Sequence, residues 1–299
     1  MTRLAVLGAA LAACAEGAAA QHPPRVVLLD TSVLVAPRLN ESSGVATSRR
    51  RPGVYWTLND SGDGPVLYAT DSTGRDLGFV TLTGARNVDW EDLAIGPCGR
   101  SASPCLFVGD IGDNGRSRRT IVVYRVPEPQ PPAGPADTTR TVTVQDSFVL
   151  RYPDGPHDAE ALVVTASGMM YIVTKDRSGA PTLYAAPAGD SGTSATLRPV
   201  GTLSLAVDLV RGRLVTGAAL SPDGDVLAVR TYASLHFFRC SGDGFAVALT
   251  PPEGLPIPVV EAQGEAVTFD GPGRLVLTSE RGFAGRALLT RLLVLGMER

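Results

Sequence analysis

No stretch of this sequence has the three-to-four-residue apolar spacing of an amphipathic helix, and none beyond the N-terminal segment is long and apolar enough to cross a bilayer. Helical bundles and α/β layers are therefore excluded. Charge is scarce as well: 19% of residues are charged and the formal net charge is −3. The arginines are scattered, apart from Arg49, Arg50 and Arg51 and the run from Arg116 to Arg119. Nothing here offers the basic surface that nucleic acid or an anionic membrane would need. There is no G-x-S-x-G elbow, no P-loop and no H-E-x-x-H pair. That counts against serine-triad hydrolases, P-loop nucleotide enzymes and zincin peptidases.

Cysteine is also rare, with four in the chain. Cys98 and Cys105 flank a GRSASP turn with no histidine close by. The spacing is wrong for a zinc site and suits a hairpin-closing disulfide in an oxidising compartment, with two free thiols as the alternative. Cys240 reads as a buried, inert thiol. The N-terminus, MTRLAVLGAALAACAEGAAAQ, has one basic residue, Arg3, then a short apolar run and small residues. This is the pattern of an export signal over residues 1–20. Leu11-Ala12-Ala13-Cys14 reads as a lipobox that would leave a lipid on Cys14, and Ala18-Ala19-Ala20 as an ordinary cleavage site. Either outcome puts residues 26–299 outside the cytosol, in the periplasm, at the outer membrane or secreted. The expected state is a monomer that touches a membrane only through a lipid on Cys14.

Glycine (33) and proline (23) are plentiful and punctuate short β-rich runs, so the fold class is all-β. The runs also recur. Units begin at NESSGVA, DWEDLAI, DAEALVV, TGAALSP and QGEAVTF. The fifth unit is one strand short, and RVVLLDTSVLV, ahead of the first, is one strand spare. Joining them closes a ring and removes the open sheet edge. The expectation is a single β-propeller of five four-stranded blades closed by the N-terminal strand. Six blades are the alternative, if the long run TRTVTVQDSFVLRYP hides another. The segment PEPQPPAGPAD reads as an exposed excursion.

Within the aligned unit starts a glutamate recurs before an apolar pair, as Glu91, Glu160 and Glu265. The first unit has Ser43 there with Glu41 nearby, and Ala218 marks a lapse in the fourth. Asp89 and Asp158 precede their glutamates by two, which on an extended strand puts both side chains on one side. First strands line a propeller's channel, so a ring of carboxylates is expected at one mouth, joined by Asp110 from the end of a second strand. Like charges held together raise one another's pKa or take up a cation. Oxygen ligands suit Ca²⁺, held among Glu41, Asp89, Glu91, Asp110, Glu160 and Glu265. The competing reading is that the glutamates bond to backbone amides and brace the blades. Lys175 and Arg230, at the ends of other second strands, add cationic donors that either clamp an anionic ligand or neutralise the ring. His157, beside Asp158, is the candidate base. His236, Trp56 and Trp90 read as packing residues.

Together ESSG, NDSG, DWEDLA, GDIGDN, DAEAL and GEAV resemble a diffuse group of exported bacterial β-propellers, the SdiA-regulated and phytase-esterase-like propeller families, from Asn40 to Glu280. The resemblance implies channel-mouth acidic positions at Glu41, Asp89, Glu91, Glu160 and Glu265. The sequence departs from the families' repeat at Ala218, and carries Ala or Asp where many relatives carry Gly after the glutamate. Two functions follow. One is an exported propeller that binds a small molecule or protein partner at its acidic mouth, with Ca²⁺ in a structural role. The other is a cation-dependent hydrolase of a phosphoester, ester or lactone. There the metal would polarise the substrate, Lys175 and Arg230 would hold its anionic group, and His157 or a rim carboxylate would move the proton.

Overall fold

Five antiparallel sheets are arranged around one axis in a computed structural model. It describes residues 24–296 apart from 100, 136–139, 177–179, 188–193, 206–211, 243, 253 and 283–284. The export signal and Cys14 lie outside the described residues. The innermost strands are Ser42–Thr47, Trp90–Cys98, Ala159–Val164, Val215–Leu220 and Gln263–Phe269. Each packs beside its counterpart in the next blade, and the last packs against the first. Their side chains are almost wholly buried on both faces, so these strands read as continuous apolar runs instead of alternating ones. The protein is a five-bladed β-propeller.

The fifth blade runs Gln263–Phe269, Arg274–Glu280 and Leu288–Leu295, and its outermost strand is Arg25–Val33 from the other end of the chain. Asp30 and Arg291 form an ion pair across that closure. The long run that left room for a sixth blade is divided between two sheets. Thr141–Thr143 adds in parallel to the outer strand of blade 1, Asp76–Thr83, while Asp146–Arg151 is the fourth antiparallel strand of blade 2. The same device recurs one blade on. Ser194–Thr196 adds in parallel to Asp146–Arg151 before Arg198–Thr202 completes blade 3. Each of these two connections clasps the preceding blade. The described part of the proline-rich segment leads into the first clasp and is only partly exposed, with Glu128 and Pro132 buried. Glu128 accepts hydrogen bonds from the Ser48 hydroxyl (2.5 Å) and the Trp56 indole (3.2 Å) of blade 1.

The core lies between blades. Trp56 and Trp90 are both fully buried in the cluster joining blades 1 and 2. His236 is buried and bonded to the Ser234 hydroxyl at 2.9 Å. Cys240, by contrast, is exposed, because the strand Ser234–Ser241 outruns its packing over its last residues. Cys98 and Cys105 are joined by a disulfide that closes the first hairpin of blade 2. With a sequence separation of 7, loop-closure entropy sets its contribution at about 2 kcal/mol. The Cys98→Ser, Cys105→Ser double variant is expected to lose that amount in denaturant titration, and the cation response described below is expected to survive, since the bridge lies at the far end of the hairpin.

Candidate functional site

Each innermost strand carries a one-residue bulge near its start. The register jumps between Ser42 and Gly44, Trp90 and Asp92, Ala159 and Ala161, Val215 and Gly217, and Gly264 and Ala266. A bulge frees one residue from the ladder and re-aims its side chain. The five residues so released are Ser43, Glu91, Glu160, Thr216 and Glu265. The fourth-blade member is therefore Thr216. Ala218 pairs in regular register with Val229, so the apparent lapse there reflects an alignment displaced by two residues.

The two hydroxyl members brace the ring. Ser43 donates to the Glu91 carbonyl at 2.8 Å and Thr216 to the Glu265 carbonyl at 2.8 Å, each reaching the next blade. The three glutamates are each only 3% exposed. The residues after the bulge are Gly44, Asp92, Ala161, Gly217 and Ala266. Smallness here has a cause: a Cβ on Gly44 would sit 2.6 Å from the Leu93 nitrogen. Asp92 is the exception, and its carboxylate spans the channel. It accepts from the amides of Leu93 (2.8 Å), Leu162 (2.8 Å) and Ala218 (3.4 Å), which belong to three different blades.

At the mouth, oxygens of Asp60, Asp89 and Glu91 lie within 4.8 Å of one another. The Gly112 backbone closes over them. A Cβ there would stand 2.3 Å from Glu91 Oε1 and 2.7 Å from Asp89 Oδ2, so the GDIGDN loop requires glycine at this point. Asp110 does not join the three. It accepts from the Asp89 amide at 3.1 Å and pairs with Arg118 at 2.8 Å, which makes it a support for Asp89. Glu160 is held by Lys175 at 2.7 Å, and Lys175 also donates to the Tyr232 hydroxyl at 3.1 Å. Glu265 Oε2 is buried with no hydrogen-bond partner among the described residues. Glu41 is exposed at the edge of the cluster, where Asp60 and Asp63 are its charged neighbours.

Burial, then the charge of Asp60, pushes the Asp89 carboxyl up to about 6. Burial and then Glu160 hold Glu91 well above the usual carboxylate range. Burial lifts Glu160 to about 7 even against Lys175, and burial with Glu41 brings Glu280 to about 7. Asp60 and Glu265 are also raised, chiefly by burial. Burial alone would lower the Lys175 pKa; Glu160 and then Tyr232 outweigh it and hold the ammonium firmly charged.

Two expected participants are turned elsewhere. Arg230 is fully buried and donates to the carbonyls of Ala266 (2.7 Å) and Thr278 (2.9 Å) and to the Glu261 carboxylate. It cannot clamp a ligand at the mouth, because the second strand Val226–Thr231 is packed on both faces at that point. His157 bonds outward to Asp154 (3.1 Å) and the Tyr184 hydroxyl (3.2 Å), and its ring packs on Tyr152. The residue that sequence reasoning left out is Asp60. Its signal was present in NDSG at the end of the second strand, but only the packing of blade 1 beside blade 2 sets it against Asp89.

No family model matches the sequence, and no curated protein matches it. Among solved structures, the chain is similar to the PQQ-bound aldose sugar dehydrogenase of Streptomyces coelicolor, at 14% identity and a TM-score of 0.51, over 91% of this chain and 98% of that one. A calcium-binding protein, regucalcin, from Agrobacterium tumefaciens aligns at 15% identity and a TM-score of 0.47, over 87% of this chain and 93% of that one. The first likeness supports the fold.

Proposed function

We propose that this protein is an exported, monomeric propeller that binds a divalent cation, Ca²⁺ first among them, at the mouth formed by Asp60, Asp89 and Glu91. Through that mouth it would bind a small-molecule or protein partner. The observation that carries the reading is the convergence of three carboxylates within 4.8 Å. Among the described residues at the mouth, Lys175 is committed to Glu160, Arg118 to Asp110 and Arg281 to the Ala36 carbonyl. The three carboxylates are thus left facing one another, and their separation suits oxygen ligands at about 2.3–2.6 Å from a shared ion. The unpartnered Glu265 oxygen points to the same shortage of positive charge. Export rests on the signal pattern of residues 1–20.

PQQ, bound in the Streptomyces structure, is a polyanion. The mouth presents it with carboxylates in place of a cationic cradle, so these residues do not fit it. The hydrolase reading keeps one support, Lys175 with Tyr232 beside Glu160. It loses Arg230 from its clamp and His157 as a base, since both are held elsewhere, and would have to rely on a rim carboxylate to move the proton.

Calorimetric titration with Ca²⁺ and Mg²⁺ tests the proposal. One Ca²⁺ per chain is expected, with a dissociation constant of roughly 10⁻⁴–10⁻³ M or tighter, as in extracellular modules. Asp60→Asn, Asp89→Asn and Glu91→Gln should each weaken it at least about tenfold, since one charged ligand lost is worth more than about 1.4 kcal/mol. Glu41→Gln should leave it almost unchanged. No heat of binding at millimolar Ca²⁺ would leave the carboxylates as braces between blades.

A further inference from the structure

The channel has a second end. Asp92 closes it one layer below the acidic ring, its carboxylate pinned by amides from blades 2, 3 and 4. Beneath that floor a funnel of about 410 Å³ opens toward the other face of the ring, within the range of about 300–1,000 Å³ usual for small-molecule sites. Val45, Leu93, Leu162, Ala218 and Val267 form its narrow end. Two residues further along each strand it widens past Ile95 and Phe269. Thr47 also lines it, but its hydroxyl is already given to the Phe269 carbonyl at 2.8 Å. Thr165 and Thr268 line it too, but most of the side chains at depth are aliphatic or aromatic, so the group that fills this end with the fewest unpaired polar atoms is hydrocarbon.

The rim is different. Arg49 is exposed there, and its guanidinium makes no ion pair among the described residues. The rim carboxylate, Asp223, accepts from the Ser221 hydroxyl (2.5 Å) and the Asp225 amide (3.2 Å). The strand ends at Thr47 and Arg49 stands in the bend just past it, so Val45 and Arg49 are separated by at most about 13 Å of backbone at roughly 3.3 Å per residue, within the reach of a medium-length alkyl chain. We propose that this funnel is a binding site for an aliphatic carboxylate, its tail in the apolar ring and its headgroup on Arg49. Asp92 separates it from the cation site, so the two are occupied independently.

Calorimetry on the full chain with decanoate, decanol and decyltrimethylammonium tests this. Decanoate should bind one per chain, decanol more weakly, and the ammonium weakest. Arg49→Gln should weaken decanoate roughly fivefold, the upper range for one exposed charge, and leave decanol unchanged. Leu220→Trp, which fills the wide end, should abolish binding while the circular dichroism spectrum and melting transition persist. Nuclear Overhauser contacts between the decanoate tail and the methyl groups of Leu162 and Val267 place the ligand without any substitution. Failure of decanoate to bind, equal binding of the cationic amphiphile, or undiminished binding by folded Leu220→Trp would each overturn the proposal.

Discussion

Arg230→Met is expected to lower the unfolding free energy by about 3–5 kcal/mol, because it strands a buried carboxylate. Arg230 is 0% exposed and the Glu261 side chain only 4%. The guanidinium also closes two backbone carbonyls, Ala266 of the innermost strand and Thr278 of the next. It occupies the place where any side chain on Gly264 would stand: a Cβ there would lie 1.9 Å from the nearer guanidinium nitrogen. Gly264→Ala should therefore expel Arg230 and cost a similar amount. Adding Glu261→Leu to Arg230→Met should recover most of the loss, since replacing both members of a buried pair is often close to neutral. Urea titrations of the four proteins decide the matter. A single-variant loss below about 1 kcal/mol would mean that Glu261 reaches water.

The second large effect is the direction in which pH acts on the cation-free protein. Asp89 titrates at about 6, Glu160 and Glu280 at about 7, and the fully buried Asp92 at about 8. In the unfolded chain all four ionise near pH 4. Between those limits the folded protein binds more protons than the unfolded one, so stability must fall as pH rises. Below about pH 4 both states are protonated and no penalty exists; above about pH 8 the penalty is complete. For Asp92 it is at most on the order of 5 kcal/mol, a figure that already includes the relief from its three amide donors. In the presence of a chelator the melting temperature at pH 5 should exceed that at pH 8 by several degrees. Saturating Ca²⁺ should shrink or reverse the difference, because the ion favours the ionised forms of Asp60, Asp89 and Glu91. A chelated protein that grows more stable toward pH 8 would show that its carboxylates are already neutralised from within.

What could be read from the chain was whatever repeats. Short apolar runs bounded by turns recur five times, and an orphan strand at one end matches a missing strand at the other, so blade number and closure follow. Glu91, Glu160 and Glu265 were visible because a glutamate before an apolar pair is out of place in a buried strand. The rest depends on neighbours brought in by the ring. Asp60 and Asp89 are separated by a full outer hairpin and meet only because blade 1 packs beside blade 2. Arg230 reads as the charged end of a strand, and nothing in VLAVRT announces Glu261, 31 residues on, as its partner. The fourth-blade bulge at Thr216 was hidden because TGAAL contains no acid to align on. The two parallel clasps were hidden because each is continuous in sequence with a strand of the following blade.

Closure by the chain's two ends also sets the order of assembly. Asp30 and Arg291 are 261 positions apart, yet the ladder between Arg25–Val33 and Leu288–Leu295 completes the last sheet. At about 5–20 residues per second, an emerging chain waits roughly 13–52 seconds between exposing the first of these strands and making the second. Through that interval Val26 and Val27 and the strand's hydrogen-bonding edge have no partner, while blades 1 to 4 can form from contacts that are local by comparison. The seam is thus expected to form last, and until it closes the N-terminal strand offers its edge to any other chain that can pair with it.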